Sequence, residues 1–204
     1  YITDEVDLNS LTKNTNYAVQ GDGIYVIIKN RIGKFIYRVV EHKFPGMPEQ
    51  FKGNKLAMDL PRLPQEIYWQ IRQFFTDISE DMGEAEAFCQ VYYDLVDKVY
   101  TVQVPEQTVS KSSVVYDATQ NLSVLEPERY VFVYEVHSHN TMGAFWSGTD
   151  NADEKETRFF GVLGELDQPE IAEKYRTNVL GEYVDLTREH VFDIDTKLNK
   201  NDVV

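Results

Sequence analysis

The sequence predicts a mixed α/β (α+β) fold, with a central mixed sheet flanked by helices and a small β-rich extension at its N-terminal end. Three observations carry this. Residues 65–81 repeat apolar side chains at helical spacing. Residues 129–136, RYVFVYEV, form the strongest run of β-branched and aromatic residues in the chain. Around these two, short strand-like runs separated by Gly, Pro and polar breaks give the order helix, strands, helix, strands.

Taken in chain order, residues 1–20 are polar and read as a mobile lead-in. GIYVIIKN and KFIYRVVE, between Gly23 and Glu41, flank Asn30-Arg31-Ile32-Gly33; a short Gly-containing connection between β-rich runs predicts a hairpin. Residues 44–64 hold four of the seven prolines and two glycines, which is loop and linker chemistry. The division that follows is an extension over 1–60, a main domain over 61–190 and a polar tail over 191–204. Pro64 opens the helix, whose stripe is Ile67, Ile71, Phe74, Phe75 and Ile78, and Gly83 ends it. Glu86–Asp94, Lys98–Val104 and Ser113–Tyr116 follow as strand candidates, then 129–136, which runs into His137. Residues 147–157 begin a polar helix, 158–165 (RFFGVLGE) a buried strand, and 170–186 two more strands around Gly181.

Composition narrows the function. Asp and Glu number 34 against 20 Lys and Arg, for a net charge of −14, so no nucleic-acid partner is expected. The single cysteine, Cys89, excludes an intramolecular disulfide and a thiolate zinc site. It reads as a small buried hydrophobe. No apolar run approaches the ~18 residues of a transmembrane helix, and YITDEVDLNS does not read as a signal peptide. No membrane partner and a cytoplasmic protein are the expectation.

Two of the four histidines stand as His137-Ser138-His139. On an extended strand residues i and i+2 share a face, so both imidazoles point one way. Seven residues later come Ser147-Gly148-Thr149-Asp150, a spacing that also reads as a capping box with Ser147 as N-cap and Asp150 at N3. Two neutral imidazoles and a carboxylate make a three-ligand catalytic zinc site with the fourth position left for water. Each half alone has an ordinary reading, as surface or core histidines and as a helix cap. A chance match to the whole pattern is on the order of 10⁻⁴ to 10⁻³ per chain. A general acid/base must stand beside the metal without ligating it; Glu84, Glu86 and Glu135 are the candidates. Asp153 and Glu154 read as a solvated helix face, His42 and His190 as surface histidines, and Phe145 and Trp146 as either core or groove lining.

His137-Ser-His139, seven residues, then Ser147-x-x-Asp150 resembles the motif of the JAMM (MPN+, Mov34/JAB) zinc metalloproteases, in which an upstream Glu precedes H-[ST]-H-x(7)-S-x-x-D. The resemblance covers about residues 64–187. It implies a JAMM/cytidine-deaminase-like sheet, one Zn2+ with a bound water held by His137, His139 and Asp150, Glu86 as general acid/base and Ser147 as oxyanion support. Glu86 opens E-A-F-C-Q-V-Y, similar to the family's E-x-C-G-L-L, with Gln90 departing from the small residue there; Glu84 is the alternative. Pro105-x-Gln107 and A-F-W-S-G-T-D-N-A-D-E at 144–154 resemble the prokaryotic JAB branch found in PRTRC gene clusters. The implied activity is hydrolysis of an amide bond at the C-terminal tail of a ubiquitin-like or sulfur-carrier-like protein. Family members that lost their ligands serve as scaffolds, so a zinc-binding but catalytically silent MPN module is the alternative.

Overall fold

A computed structural model describes residues 1–82, 85–110 and 114–194. The fold is mixed α/β, with fourteen strands and four helices among the described residues. They divide into two compact units.

The first unit comprises residues 1–61, 155–157 and 178–184. Its sheet is an antiparallel meander of β1 (Thr15–Gln20), β2 (Gly23–Lys29), β3 (Gly33–Glu41) and β4 (Lys55–Met58), in that order. The expected hairpin is β2–β3: Asn30 Oδ1 accepts the Ile32 and Gly33 N–H groups at 2.9 and 3.3 Å. Gly33 is required because a Cβ there would lie 2.4 Å from the Ala57 carbonyl of β4. Two sequence readings are corrected. Residues 1–20 are not a loose lead-in: Val6, Leu11 and Ala18 join Tyr25, Ile27, Ile36 and Phe51 in one core. The Gln50 side chain binds Val6 N–H and C=O, both at 2.8 Å, pairing a polar segment that has little apolar signal of its own. Within the proline-rich 44–64 stretch, the proline-free Lys55–Met58 forms β4 against Gly33–Ile36.

Of the described residues, the second unit comprises 62–82, 85–110, 114–154, 158–177 and 185–194. Its elements begin with β5 (Leu63–Pro64) and α1 (Gln65–Asp81), the helix bounds the periodicity predicts. Next are β6 (Phe88–Asp94), β7 (Val99–Gln103), the β8–β9 hairpin (Gln107–Val109, Val114–Tyr116), α2 (Leu122–Leu125) and β10 (Tyr130–Ser138). The chain continues through α3 (Gly148–Asp153), β11 (Phe159–Gly164), β12 (Ala172–Val179), β13 (Glu182–Leu186), α4 (Arg188–Val191) and β14 (Phe192–Asp193). The main sheet is ordered β13-β12-β11-β10-β6-β7, residues 178–179 of β12 and 182–184 of β13 being those grouped with the first unit. It is mixed because β10 runs parallel to β11 and antiparallel to β6. One face is closed by aromatics: Phe192 of β14 meets Tyr68 of α1, Tyr134 of β10 and Tyr175 of β12 at ring-centroid distances of 5.4, 5.6 and 6.0 Å. Tyr134 faces this core, so Glu135 and His137 face the opposite side of the sheet. That alternation places the site. No helix among the described residues is long and apolar enough to cross a membrane.

Candidate metal centre

β10 continues through His137 to Ser138, so the first histidine is held by strand pairing, with Phe88 on one side and Val162 on the other. Ser138, fully buried, points to the other face. Its Oγ accepts the Ala87 N–H at 2.9 Å, and its own N–H donates to the Ala87 carbonyl at 2.8 Å. This clamp fixes the Glu86-Ala87 segment beside the histidine strand. From the other side, Glu86 N–H donates to Ser110 O at 2.8 Å. The Gln107 amide mimics a strand partner, accepting from Phe88 N at 2.9 Å and donating to Phe88 O at 3.0 Å.

His139 stands just past the strand. Its N–H donates to Leu163 O at 2.7 Å, and the chain turns at Asn140, whose φ of 51° suits asparagine better than most side chains. Glu165 N–H to Met142 O and Leu166 N–H to Asn140 O, at 2.7 and 2.8 Å, lash this loop to the end of β11. Gly164 permits the close approach, because a Cβ there would sit 2.2 Å from Met142 O. His139 Nδ1 lies 3.3 Å from Gly143 O. Donation from Nδ1 to that carbonyl leaves Nε2 as the free lone pair, the arrangement a metal-ligating histidine needs.

Asp150 helps cap α3 and also stands in a cluster that could hold a metal ion. Ser147 Oγ accepts the Asp150 N–H at 3.1 Å, and Asp150 Oδ2 accepts the Ser147 N–H at 2.6 Å, a complete capping box on α3. The cap occupies Oδ2; Oδ1 lies 3.5 Å from His137 Nε2. The two histidine Nε2 atoms are 3.2 Å apart. Donor atoms of His137, His139 and Asp150 all fall within 4.8 Å of one another, so the three can hold a metal ion. Burial lowers both imidazole pKa values, that of His137 to about 4. Both rings are therefore neutral and ligand-competent at pH 7.

These side chains open onto a cavity of about 340 Å3, which Glu86, Ser147, Glu135, Phe145, Tyr116 and Phe88 also line. Tyr116 of β9 stacks on Phe88 at 4.2 Å, and Phe145 lies 4.3 Å from the His139 ring. Phe145 is thus groove lining, 46% exposed. Glu86 is 6% exposed, and burial followed by repulsion from Asp150 pushes its carboxyl up to about 7. Glu135, raised to about 6 mainly by burial, lines the same cavity.

No protein-family model matches the chain, and no curated protein matches it. The candidate residues His137, His139, Asp150, Ser147 and Glu86 all line one cavity; Glu84 lies outside the described residues. One reading is corrected: Glu154 is not on a solvated face. It is 5% exposed, and its Oε2 accepts from the Nε of the buried Arg176 of β12 at 2.6 Å. Ser138, Gln107 and Arg176 went unnoticed in the sequence as supports. Ser138 carried a signal, since a serine on the core face of a strand needs a buried partner.

Proposed function

We propose that this protein is a zinc-dependent metallopeptidase of JAMM type that hydrolyses an amide bond at the C-terminal tail of a ubiquitin-like or sulfur-carrier-like protein. The observation that carries the reading is the meeting of two neutral imidazoles, one carboxylate and a buried glutamate at one cavity. Nitrogen and carboxylate donors suit zinc, and three protein ligands leave a coordination position open. His137, His139 and Asp150 would hold the zinc, which would supply Lewis acidity for activating water and polarising a carbonyl.

The chain's own groups supply the rest. Glu86 is a buried carboxylate at the cavity that is not among the three ligands, the place a general acid/base must occupy. It takes a proton from the attacking water and returns it to the leaving amide nitrogen. The capping bond uses a lone pair of Ser147 Oγ, so the hydroxyl hydrogen remains to donate to the developing oxyanion. Phe145, Tyr116 and Phe88 give the cavity an aromatic wall against which an extended substrate tail can pack.

The test is turnover of a ubiquitin-like substrate bearing a C-terminal extension, comparing the zinc-loaded wild type with Glu86→Gln. The proposal expects cleavage by the wild type and at least a 10²-fold loss in the variant at unchanged zinc content. Zinc binding without turnover across such substrates would leave the scaffold reading in its place.

A further inference from the structure

α3 is six residues long and buries none of them. A helix this short has no stability of its own. Its placement draws on contacts from outside, and three of these come from one side chain of β12.

Arg176 is 3% exposed and stands opposite Phe160 in the β11–β12 ladder, within the rigid sheet. Its Nε donates to Glu154 Oε2 at 2.6 Å, and its Nη1 donates to Asn151 Oδ1 at 2.9 Å. Its guanidinium lies 3.8 Å from the centre of the Trp146 ring. The three contacts bracket the ligand. Trp146 directly precedes the capping Ser147, Asn151 directly follows Asp150, and Glu154 is the C-cap of α3. A planar guanidinium can serve a carboxylate, an amide oxygen and an aromatic face together; an ammonium cannot.

Resting on the metal-centre reading above, we propose that Arg176 is a positioning residue for the metal site: it holds the Trp146–Glu154 segment so that the Asp150 carboxylate meets the two histidines. Its function is exerted through Asp150, from outside the set of residues that line the cavity. Removing a residue that orients a metal ligand costs about 10- to 100-fold in metal affinity.

The test measures zinc affinity by chelator competition on the full chain, for wild type, Arg176→Lys and Arg188→Lys, with melting temperatures of the metal-free proteins beside them. Arg188 is the control. It pairs with Glu173 at 2.6 Å and lies over the Tyr68 ring at 5.2 Å, so it loses the same kinds of contact without touching α3. The expected result is at least a 10-fold weaker zinc affinity for Arg176→Lys and a change under about twofold for Arg188→Lys. Unchanged affinity in Arg176→Lys, or equal losses in both, would overturn the proposal. Should Arg176→Lys fail to fold, Asn151→Ala decides. It removes one strut at an exposed position, and several-fold weakening is expected where no weakening refutes. Absence of zinc binding by the wild type would instead remove the metal-centre reading, and this inference with it.

Discussion

Replacing Glu86 by Gln should stabilise the metal-free protein, and by an amount that depends on pH. The wild-type carboxyl is raised from an ordinary 4.5 to about 7, first by burial and then by Asp150. A carboxyl with a raised folded-state pKa binds its proton more tightly in the native chain. Its destabilising effect is therefore absent below about pH 4.5 and complete above about pH 7. The shift sets an upper bound of about 3 kcal/mol, and the opening of the cavity to solvent screens this to about 1–2 kcal/mol. Glutamine keeps the shape and removes the charge. Urea unfolding of both proteins in chelator at pH 4.5, 6 and 8 should show matched stability at the lowest pH. The variant should gain about 0.5–1 M in midpoint at the highest, for a slope of about 2 kcal/mol per molar urea. Carboxyls elsewhere, including Glu135 and Glu154, cancel in the difference. A difference that stays flat from pH 4.5 to 8 would refute the claim that Glu86 is held at a cost in a desolvated site.

Three further outcomes are expected. Ser138→Ala leaves the buried Ala87 N–H without its acceptor and should cost about 1–3 kcal/mol by urea unfolding; Ser138→Thr, which keeps the hydroxyl, should recover part of that, and a loss under about 0.5 kcal/mol in the alanine variant would show the clamp to be idle. Gly164→Ala drives a methyl to 2.2 Å from Met142 O and must displace the loop after His139, so its zinc affinity should fall at least 10-fold in chelator competition. Asp94, hydrogen-bonded to Arg129 and held at about 2, adds stability that is full above about pH 3.8 and is lost as pH falls toward 2. Asp94→Asn should therefore narrow the gap between stability at pH 5 and at pH 2.5, and an unchanged gap counts against the pair.

The main element types were legible where periodicity was strong. The stripe from Ile67 to Ile78 located α1 to its end residues, and RYVFVYEV located the strand that aims Glu135 and His137. Residues 1–20 and 55–58 were misread because their order comes from partners distant in sequence, Gln50 on Val6 and β3 on β4, which composition does not encode. The cluster of His137, His139 and Asp150 was legible because strand alternation and a capping box each constrain geometry locally. Their supports were not. Arg176 is 26 residues from Asp150, and only the fold of β12 onto β11 brings it there. Glu154 was misread for the same reason: a carboxylate after a helix looks solvated until its arginine is known.

The most direct measurement is the zinc content of untagged protein by elemental analysis, with wild type and His139→Ala in parallel. The account predicts close to one zinc per chain in the wild type and little in the variant, with both proteins folded. Wild type that stays zinc-free after reconstitution, or a variant that holds as much zinc as the wild type, would contradict it and return His137, His139 and Asp150 to a buried histidine pair beside a helix cap.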